Sequence, residues 1–246
     1  MRRRGLLLMA WFMISPGALA NFTILDAQRW PAGEGKIILT FDDGPNARQD
    51  VSMRLLDVLG RHDVKGTFFY IGRRVEAYPD IVARTVREGH QVGVHAYSHG
   101  WPVWFDSASL RREIETARTA IRRAANRPDL PLEMYRPPRG ILTPATWRLL
   151  AQCEIALGHL TAYHRDSGSG PAEANEVLQA AKETLMKYSG GVIVFHSSRY
   201  KSNQDSDNLV DKSWLPAAIE DLILWARDRE FEFTHYPGIA DDCADS

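Results

Sequence analysis

The chain has 246 residues, of which 44% are hydrophobic and 25% are charged, and its formal net charge at pH 7 is −1. This composition is ordinary for a globular protein, and the length allows one domain with a large core or two small domains. The chain lacks the excess of basic residues that is typical of nucleic-acid-binding proteins, and it has no long acidic tract of the kind found in disordered proteins.

The first 20 residues have the layout of a secretory signal. Three arginines at residues 2–4 precede an apolar stretch at residues 5–14, and residues 18–20 form an Ala-x-Ala cleavage site. The apolar stretch is too short to span a bilayer comfortably. We therefore expect cleavage after Ala20, export to the periplasm or the extracellular space by either the Sec or the twin-arginine route, and no membrane anchor afterwards.

After an irregular lead-in at residues 21–35, β-branched apolar runs alternate with amphipathic segments. The predicted strands lie at residues 36–41, 66–71, 91–95, 133–136, 155–161, 191–195 and 231–234. The predicted helices lie at residues 48–62, 76–88, 107–125, 143–153, 172–188 and 215–229. Such alternation is typical of a parallel sheet with helices outside it.

We therefore predict an α/β fold, an incomplete or distorted TIM-like (β/α) barrel with about seven parallel strands, in one domain over residues 36–246. A doubly wound open sheet is the alternative. It is less favoured because no Gly-x-Gly-x-x-Gly follows the first strand, which weakens a nucleotide-binding version.

Two adjacent carboxylates, Asp42 and Asp43, end the first predicted strand in the sequence TFDDGP at residues 40–45. A turn at the strand end can bring both side chains to one pocket, where they repel unless a cation intervenes or one is protonated. One Asp as a metal ligand and the other as a general base is the functional hypothesis. A plain turn is the structural alternative, since Asp, Gly and Pro all favour turns.

Ionisable residues also follow four later strands. His95 and His99 lie in HAYSH at residues 95–99, Arg136 begins RPPRG at residues 136–140, and Asp166 and His196 follow the fifth and sixth strands. In a parallel barrel the carboxyl ends of the strands form the active-site face. We therefore expect these groups to meet.

The spacing of His95 and His99 suits two metal ligands on one turn. Together with Asp43 they supply three protein ligands and leave a position open for water, as in catalytic metal sites. We expect one divalent metal ion, with zinc favoured and cobalt, nickel or manganese as alternatives.

These residues resemble the motifs of the polysaccharide deacetylases of carbohydrate esterase family 4, the NodB homology domain, over about residues 36–236. The resemblance implies that residues 36–246 are a single catalytic domain of this kind. It implies that Asp42 is the catalytic base and that Asp43, His95 and His99 bind the metal.

The same resemblance assigns roles to the later motifs. It implies that Arg136 orients the base, that a backbone N–H near Arg139 holds the oxyanion, and that His196 is the general acid. Asp166 is the candidate partner that orients His196. Only the first three motifs are specific, because the segment around Asp166 lacks the first Asp and the Trp of the family's fourth motif.

The departures from the family pattern concern the substrate. Arg139 stands where the family has an aromatic residue, and we expect substrate contacts from Arg139, Tyr97, Trp101 and Pro138. Ser167 and Val194 predict an acyl pocket that is wider or more polar than usual. Residues 199–201 are interpreted as a solvated loop, with contact to an anionic or sugar substrate as the alternative.

The sequence thus predicts an exported, metal-dependent hydrolase that removes N-acetyl groups from a glycan such as peptidoglycan, a chitin-like oligomer or an exopolysaccharide, with no nucleic-acid partner. The alternatives are an O-acetyl esterase or deformylase on a carbohydrate, and an inactive carbohydrate-binding protein. The oligomeric state stays open. A disulfide between Cys153 and Cys243 and two free thiols also remain equal alternatives.

Overall fold

The computed structural model describes residues 23–24, 34–152, 154–199 and 210–236. The proposed signal segment and both cysteines lie outside these residues, so export and cysteine pairing remain predictions. No helix in the described ranges is both long enough and apolar enough to cross a bilayer.

The described residues form nine strands and seven α-helices in chain order, besides five short 3-10 helices. The strands are β1 (Thr23–Ile24), β2 (Lys36–Gly44), β3 (Thr67–Tyr70), β4 (Gln91–Val94), β5 (Met134–Tyr135), β6 (Ile141–Leu142), β7 (Ala156–Leu157), β8 (Gly190–His196) and β9 (Glu232–Thr234). The helices are α1 (Val51–Arg61), α2 (Gly72–Ala77), α3 (Pro79–Arg87), α4 (Ser107–Ala125), α5 (Pro144–Ala151), α6 (Ala174–Tyr188) and α7 (Leu215–Arg227).

Seven of these strands form one parallel sheet in the order β7-β5-β4-β3-β2-β8, with β9 paired to the first three residues of β2. Ala162, just after β7, makes a parallel bridge with Ile193 of β8, so the two edges of the sheet approach each other. The sheet curls into an incomplete, distorted barrel with helices outside it. The predicted fold class is confirmed.

The central strand β2 separates two apolar layers because successive side chains of a strand point to opposite faces. Ile37, Leu39 and Phe41 belong to the large core shared with the helices. Ile38 belongs to a second, inner cluster that includes Phe69, Val192 and Tyr236, with Met134 packed against it. The inner face of the barrel is therefore defined by Ile38 and by every second residue after it.

Two predicted elements differ from the observed ones. The helix predicted at residues 76–88 is two helices, α2 and α3, which meet at Tyr78 because the residue before Pro79 is pushed out of helical geometry. The strand predicted at residues 155–161 is only β7. The carbonyl oxygens of Gly158 and His159 accept hydrogen bonds from an arginine side chain instead of a neighbouring strand.

The predicted irregular lead-in at residues 21–35 contains one short element. Strand β1 pairs antiparallel with β6, with Thr23 opposite Leu142 and Ile24 opposite Ile141. This pair lies apart from the seven-stranded sheet.

Candidate active site

Strand alternation brings three polar side chains to the inner face at the carboxyl end of the barrel. These are Asp42 on β2, Arg136 just after β5 and His196 at the end of β8. Each lies two or four residues after a residue of the inner cluster or one packed against it, namely Ile38, Met134 and Val192. Because an even spacing on a strand keeps side chains on one face, the sequence positions alone direct the three groups inward.

A bulge in β2 turns Asp43 toward the same side as Asp42. The pairing register with β3 shifts between Asp42 and Gly44, so Asp43 is an extra residue in the strand. Its backbone is left-handed, with φ of 64°. A bulge of this kind re-aims a side chain that would otherwise face the opposite side of the sheet.

Two serines after β8 support this bulge. The Ser198 hydroxyl donates a 2.7 Å hydrogen bond to the Asp43 carbonyl oxygen, and the Ser197 backbone N–H donates a 3.1 Å bond to the Asp42 carbonyl oxygen. Both serines are buried. The backbone that carries the two carboxylates is therefore held by the segment directly after β8.

Asp43, His95 and His99 form a buried cluster whose ligand atoms all lie within 4.8 Å of one another. Asp43 Oδ1 lies 3.3 Å from His95 Nε2 and 3.1 Å from His99 Nε2. His95 Nδ1 lies 2.7 Å from the Arg136 carbonyl oxygen and donates to it, which directs Nε2 toward Asp43.

The cluster suits a divalent metal ion. Within the described chain, Asp43 Oδ1 and His95 Nε2 are buried and have no hydrogen-bond partner. Buried polar atoms are normally satisfied, and a cation between these atoms would satisfy both. One carboxylate and two imidazoles are also the donor types found at catalytic zinc sites. The identity of the ion does not follow from these donors alone.

Burial and neighbouring groups together set the protonation states of Asp43 and His99. Burial raises the pKa of the Asp43 carboxyl, but the neighbouring His99 and His95 outweigh it and hold that pKa well below its ordinary value. Burial also lowers the pKa of His99, against the opposing effect of Asp43. An ionised Asp43 beside a neutral His99 is the protonation state that binds a metal.

The loop that carries both histidines is fixed by Glu113 of α4. One oxygen of this carboxylate accepts hydrogen bonds from the Tyr97 N–H at 3.0 Å, the Ser98 N–H at 2.8 Å and the Ser98 hydroxyl at 2.8 Å. The loop needs such support because two of its residues, Ala96 and His99, have positive φ angles of 62° and 54°.

The Arg136 guanidinium is buried and fully bonded. Nη1 donates to Asp42 Oδ1 at 2.6 Å and to the Thr40 hydroxyl at 2.8 Å. Its other nitrogens donate to the carbonyl oxygens of Gly158 and His159 and to the Tyr236 hydroxyl. The guanidinium carbon also lies 4.1 Å from the centre of the Phe69 ring. A planar group held on so many sides fixes the position of the Asp42 carboxylate.

His196 is supported from behind by Asp166, which is fully buried. His196 Nδ1 lies 2.8 Å from Asp166 Oδ1, and the His196 backbone N–H donates to Asp166 Oδ2. Burial disfavours the charged imidazole, but the Asp166 carboxylate outweighs it and raises the pKa of His196 to about 9. The ring is therefore protonated at neutral pH and its other nitrogen faces the cavity.

A third residue, Lys212, completes this support. Its ammonium group is buried, donates to the Asp166 carbonyl oxygen and lies 3.9 Å from Asp166 Oδ2. Burial lowers the pKa of Lys212, while Asp166 opposes that shift. His196, Asp166 and Lys212 thus form a buried chain of alternating charge.

One cavity of about 460 Å³ joins these groups. It is lined by Asp42, Asp43, His95, His99, Trp101, Arg136, Arg139, Gly140, Leu160, Tyr163, Ser167, Val194, His196 and Arg199. The structure therefore brings eight of the eleven predicted site residues together. Asp166 lies behind His196, whereas Tyr97 and Pro138 are not part of the lining, and the Tyr97 hydroxyl instead donates to Glu76.

Sequence reasoning did not identify several residues of the site. Tyr163 lies edge-on to His196, with ring centroids 5.6 Å apart, and its hydroxyl lies 2.5 Å from the Ser167 hydroxyl. Three further residues do not line the cavity but form hydrogen bonds with the predicted motifs: Glu113, Lys212 and Tyr236. None of these four carries a local sequence signal, and Glu113, Lys212 and Tyr236 make their site contacts with distant parts of the chain.

Comparison with known proteins places this site in a family. The family model described as polysaccharide deacetylase matches residues 30–158. A peptidoglycan-N-acetylglucosamine deacetylase from Bacillus cereus is 29% identical over 184 residues, which are 74% of this chain and 63% of that protein. A chitooligosaccharide deacetylase from Bradyrhizobium sp. is 39% identical over 137 residues, which are 55% of this chain and 60% of that protein.

The matches to these two relatives span about three fifths of each relative's length. A crystal structure of the Bc1960 peptidoglycan N-acetylglucosamine deacetylase superposes with a TM-score of 0.70 at 24% identity, covering 87% of this chain and 92% of that one. That likeness establishes the fold. The family match extends over more than half of the sequence and includes Asp42, Asp43, His95, His99 and Arg136. The chain belongs to the polysaccharide deacetylase family.

Proposed function

We propose that the protein is an exported, metal-dependent hydrolase that removes N-acetyl groups from a glycan. The observation that carries this proposal is the juxtaposition of three units around one cavity. They are the Asp43 cluster with its two histidines, an Asp42 carboxylate fixed by Arg136, and a protonated His196. Hydrolysis of an amide needs an activated water, a base and an acid, and these units match the three requirements.

Asp43, His95 and His99 would hold the divalent ion. When bound, such an ion polarises an acyl carbonyl and lowers the pKa of water. The protein's own contribution is to fix the ligands before binding. Glu113 holds the loop of His95 and His99, and Ser198 holds the Asp43 backbone.

Asp42 is assigned as the general base. Its Oδ1 accepts a 2.6 Å hydrogen bond from Arg136, which leaves the carboxylate a fixed orientation at the cavity wall. A base aimed in this way takes the proton of the attacking water. We place the oxyanion against a backbone N–H near Arg139, which lines the same cavity.

His196 is assigned as the general acid. An amine is a poor leaving group, so it must be protonated as the carbon–nitrogen bond breaks. The imidazole is suited to this step because Asp166 raises its pKa to about 9 and accepts from Nδ1. The remaining ring nitrogen is then the proton donor on the cavity side.

A second candidate uses the same residues on an O-acetyl ester or a formyl amide. It is favoured by the part of the cavity near His196, where Leu160, Tyr163, Ser167 and Val194 form the lining. The Ser167 hydroxyl and the small Val194 side chain leave room there for an acyl group other than acetyl, or for an ester in place of the amide. An inactive carbohydrate-binding protein is the third candidate, and the complete set of acid, base and ligand residues argues against it.

The test is acetate and formate release by the purified protein after chelation, with and without added zinc, cobalt, nickel or manganese. The substrates are chito-oligosaccharides in matched N-acetyl and N-formyl forms, peptidoglycan and acetylated xylan, and Asp42→Asn is the inactive control. Metal-dependent acetate from an N-acetylated glycan supports the proposal. Acetate from xylan alone, or formate, supports the second candidate, and no product despite stoichiometric metal supports the binding protein.

Export is tested separately. Expression of the full chain, followed by cell fractionation and N-terminal sequencing, should give an exported protein that begins at Asn21. A cytoplasmic protein with an intact N-terminus would contradict this part of the proposal without affecting the chemistry.

A further inference from the structure

Positive side chains outnumber negative ones in the lining of the cavity. Three guanidinium groups face two carboxylates there, before the imidazolium of His196 or a divalent ion is counted: Arg136, Arg139 and Arg199 against Asp42 and Asp43. The whole chain, by contrast, has a formal net charge of −1. A cleft with this local excess attracts anions.

Arg136 does not account for this excess, because it is already paired with Asp42. Arg139 differs. In the described part of the chain it makes no ion pair, and its hydrogen bond runs from Nη1 to the His99 carbonyl oxygen at 3.2 Å. The Asp43 carboxylate attracts this guanidinium without a direct ion pair. A half-buried guanidinium that has no hydrogen-bonded carboxylate is costly, and an anion in the cavity would offset this cost.

The Arg139 guanidinium is also held in place before any ligand binds. Its central carbon lies 4.1 Å from the centre of the Trp101 ring, and Trp101 is 47% exposed at the edge of the cavity. Stacking on the ring and the bond to His99 restrict the side chain to one position. A planar group fixed in this way is suited to bidentate pairing with a carboxylate.

Arg199 lines the cavity on the opposite flank. A Cβ atom added to Gly168 would lie 3.7 Å from Arg199 Nη1, which places this arginine beside the turn Asp166–Gly168 that supports His196. Arg139 thus lies on the flank of the metal ligands and Arg199 on the flank of the acid.

We infer that the cavity binds a glycan that carries a carboxylate beside the scissile acetamido group, and that Arg139 pairs with this carboxylate. The inference rests on the proposed function and narrows its substrate class. Trp101 offers a sugar ring an aromatic surface next to the Arg139 charge. A neutral oligosaccharide would leave Arg139 with its contacts to His99 and Trp101 but without an anion to pair with.

The test compares two forms of one N-acetylated oligosaccharide, with its carboxylates free or converted to primary amides. We expect the free form to have a kcat/KM for acetate release at least tenfold higher, with a difference that shrinks as salt is added. Arg139→Gln should reduce this ratio to about two or less. Arg87→Gln, at an exposed arginine on α3 outside the cavity, should keep the ratio of the unchanged protein.

Binding of the same pair, measured by calorimetry, decides the case in which no acetate is released. There, tighter binding of the free form that is lost in Arg139→Gln supports the carboxylate site, while the proposed function fails. Equal kcat/KM values for the two forms overturn the inference and leave the proposed function intact. The inference is also overturned if the free form still binds more tightly in Arg139→Gln and this difference in affinity disappears on chelation. The carboxylate would then bind the metal itself.

Discussion

The contact between His196 and Asp166 provides a direct test of the acid. Replacing Asp166 with Asn keeps the shape of the side chain and removes its charge. Burial lowers the pKa of the imidazole, but Asp166, with smaller contributions from Asp43 and Asp42, raises it from an ordinary 6.5 to about 9. Without the charge we expect the pKa of His196 to return to the ordinary value or below it.

The size of the effect follows from the fraction of protonated His196. At pH 8 this fraction is about 90% for a pKa of about 9 and about 3% for a pKa of 6.5. If His196 is the acid, kcat of Asp166→Asn should fall about 30-fold at pH 8 and recover most of that loss at pH 5.5, relative to the unchanged protein at each pH. A bound cation lowers both pKa values and preserves the direction of their difference.

Stability should change with pH in the same sense. Since the pKa of His196 is raised on folding, its contribution is complete below about pH 6.5 and is lost as the pH rises through about 9. The difference between the two pKa values corresponds to about 3 kcal/mol. The variant should therefore be destabilised most at pH 6 and least above pH 9, at constant ionic strength.

The assays are pH profiles of acetate release, denaturant unfolding at several pH values, and NMR titration of the His196 ring. Asp228→Asn, at an exposed aspartate after α7, is the matched control. A defect in kcat that is the same from pH 5.5 to pH 8, or a His196 pKa that stays near 9 in the variant, would refute the assignment of His196 as an acid supported by Asp166.

The remaining predictions concern the base, the ligands and the core. Asp42→Asn should lower kcat at least a hundredfold while metal binding by calorimetry stays within about threefold; equal loss of both would contradict its role as base. Glu113→Gln should weaken metal binding about tenfold by loosening the ligand loop, and an unchanged Kd would contradict that support. Zinc at 100 times its Kd should stabilise the protein by about 2.7 kcal/mol, an increase absent from Asp43→Asn. Phe41→Ala should cost about 3–5 kcal/mol in denaturant unfolding, since its ring is fully buried against Phe68.

Much of the barrel could be predicted from the chain because its strands are short apolar runs that alternate with helices. Asp42 and His196 could be assigned to one end of the barrel for the same reason, since both directly follow buried β-branched runs. The side of the strand on which Asp43 lies could not be derived from alternation, because its orientation comes from a bulge that shifts the register by one residue.

The residues that support the site could not be predicted from sequence patterns for a different reason. Lys212 precedes α7, 46 positions from Asp166, and Tyr236 follows β9, 100 positions from Arg136. Only the closing of the barrel brings such residues together. The predicted strand does not continue after β7, because two carbonyl oxygens of this segment accept hydrogen bonds from Arg136 instead of from a neighbouring strand. Local strand propensity contains no information about such a side-chain partner.

The bonds of Arg136 have a consequence for how the molecule opens. Its side chain donates to residues of β2, of the segment after β7 and of the segment after β9, parts of the chain that lie far apart in sequence. Release of any one of them leaves a buried guanidinium with unmet donors. The amide hydrogens of these segments should therefore exchange together, close to the global unfolding free energy. Asp42, which Arg136 holds, is thus tied to three distant parts of the chain, so partial unfolding at the Arg136 site would also displace this carboxylate.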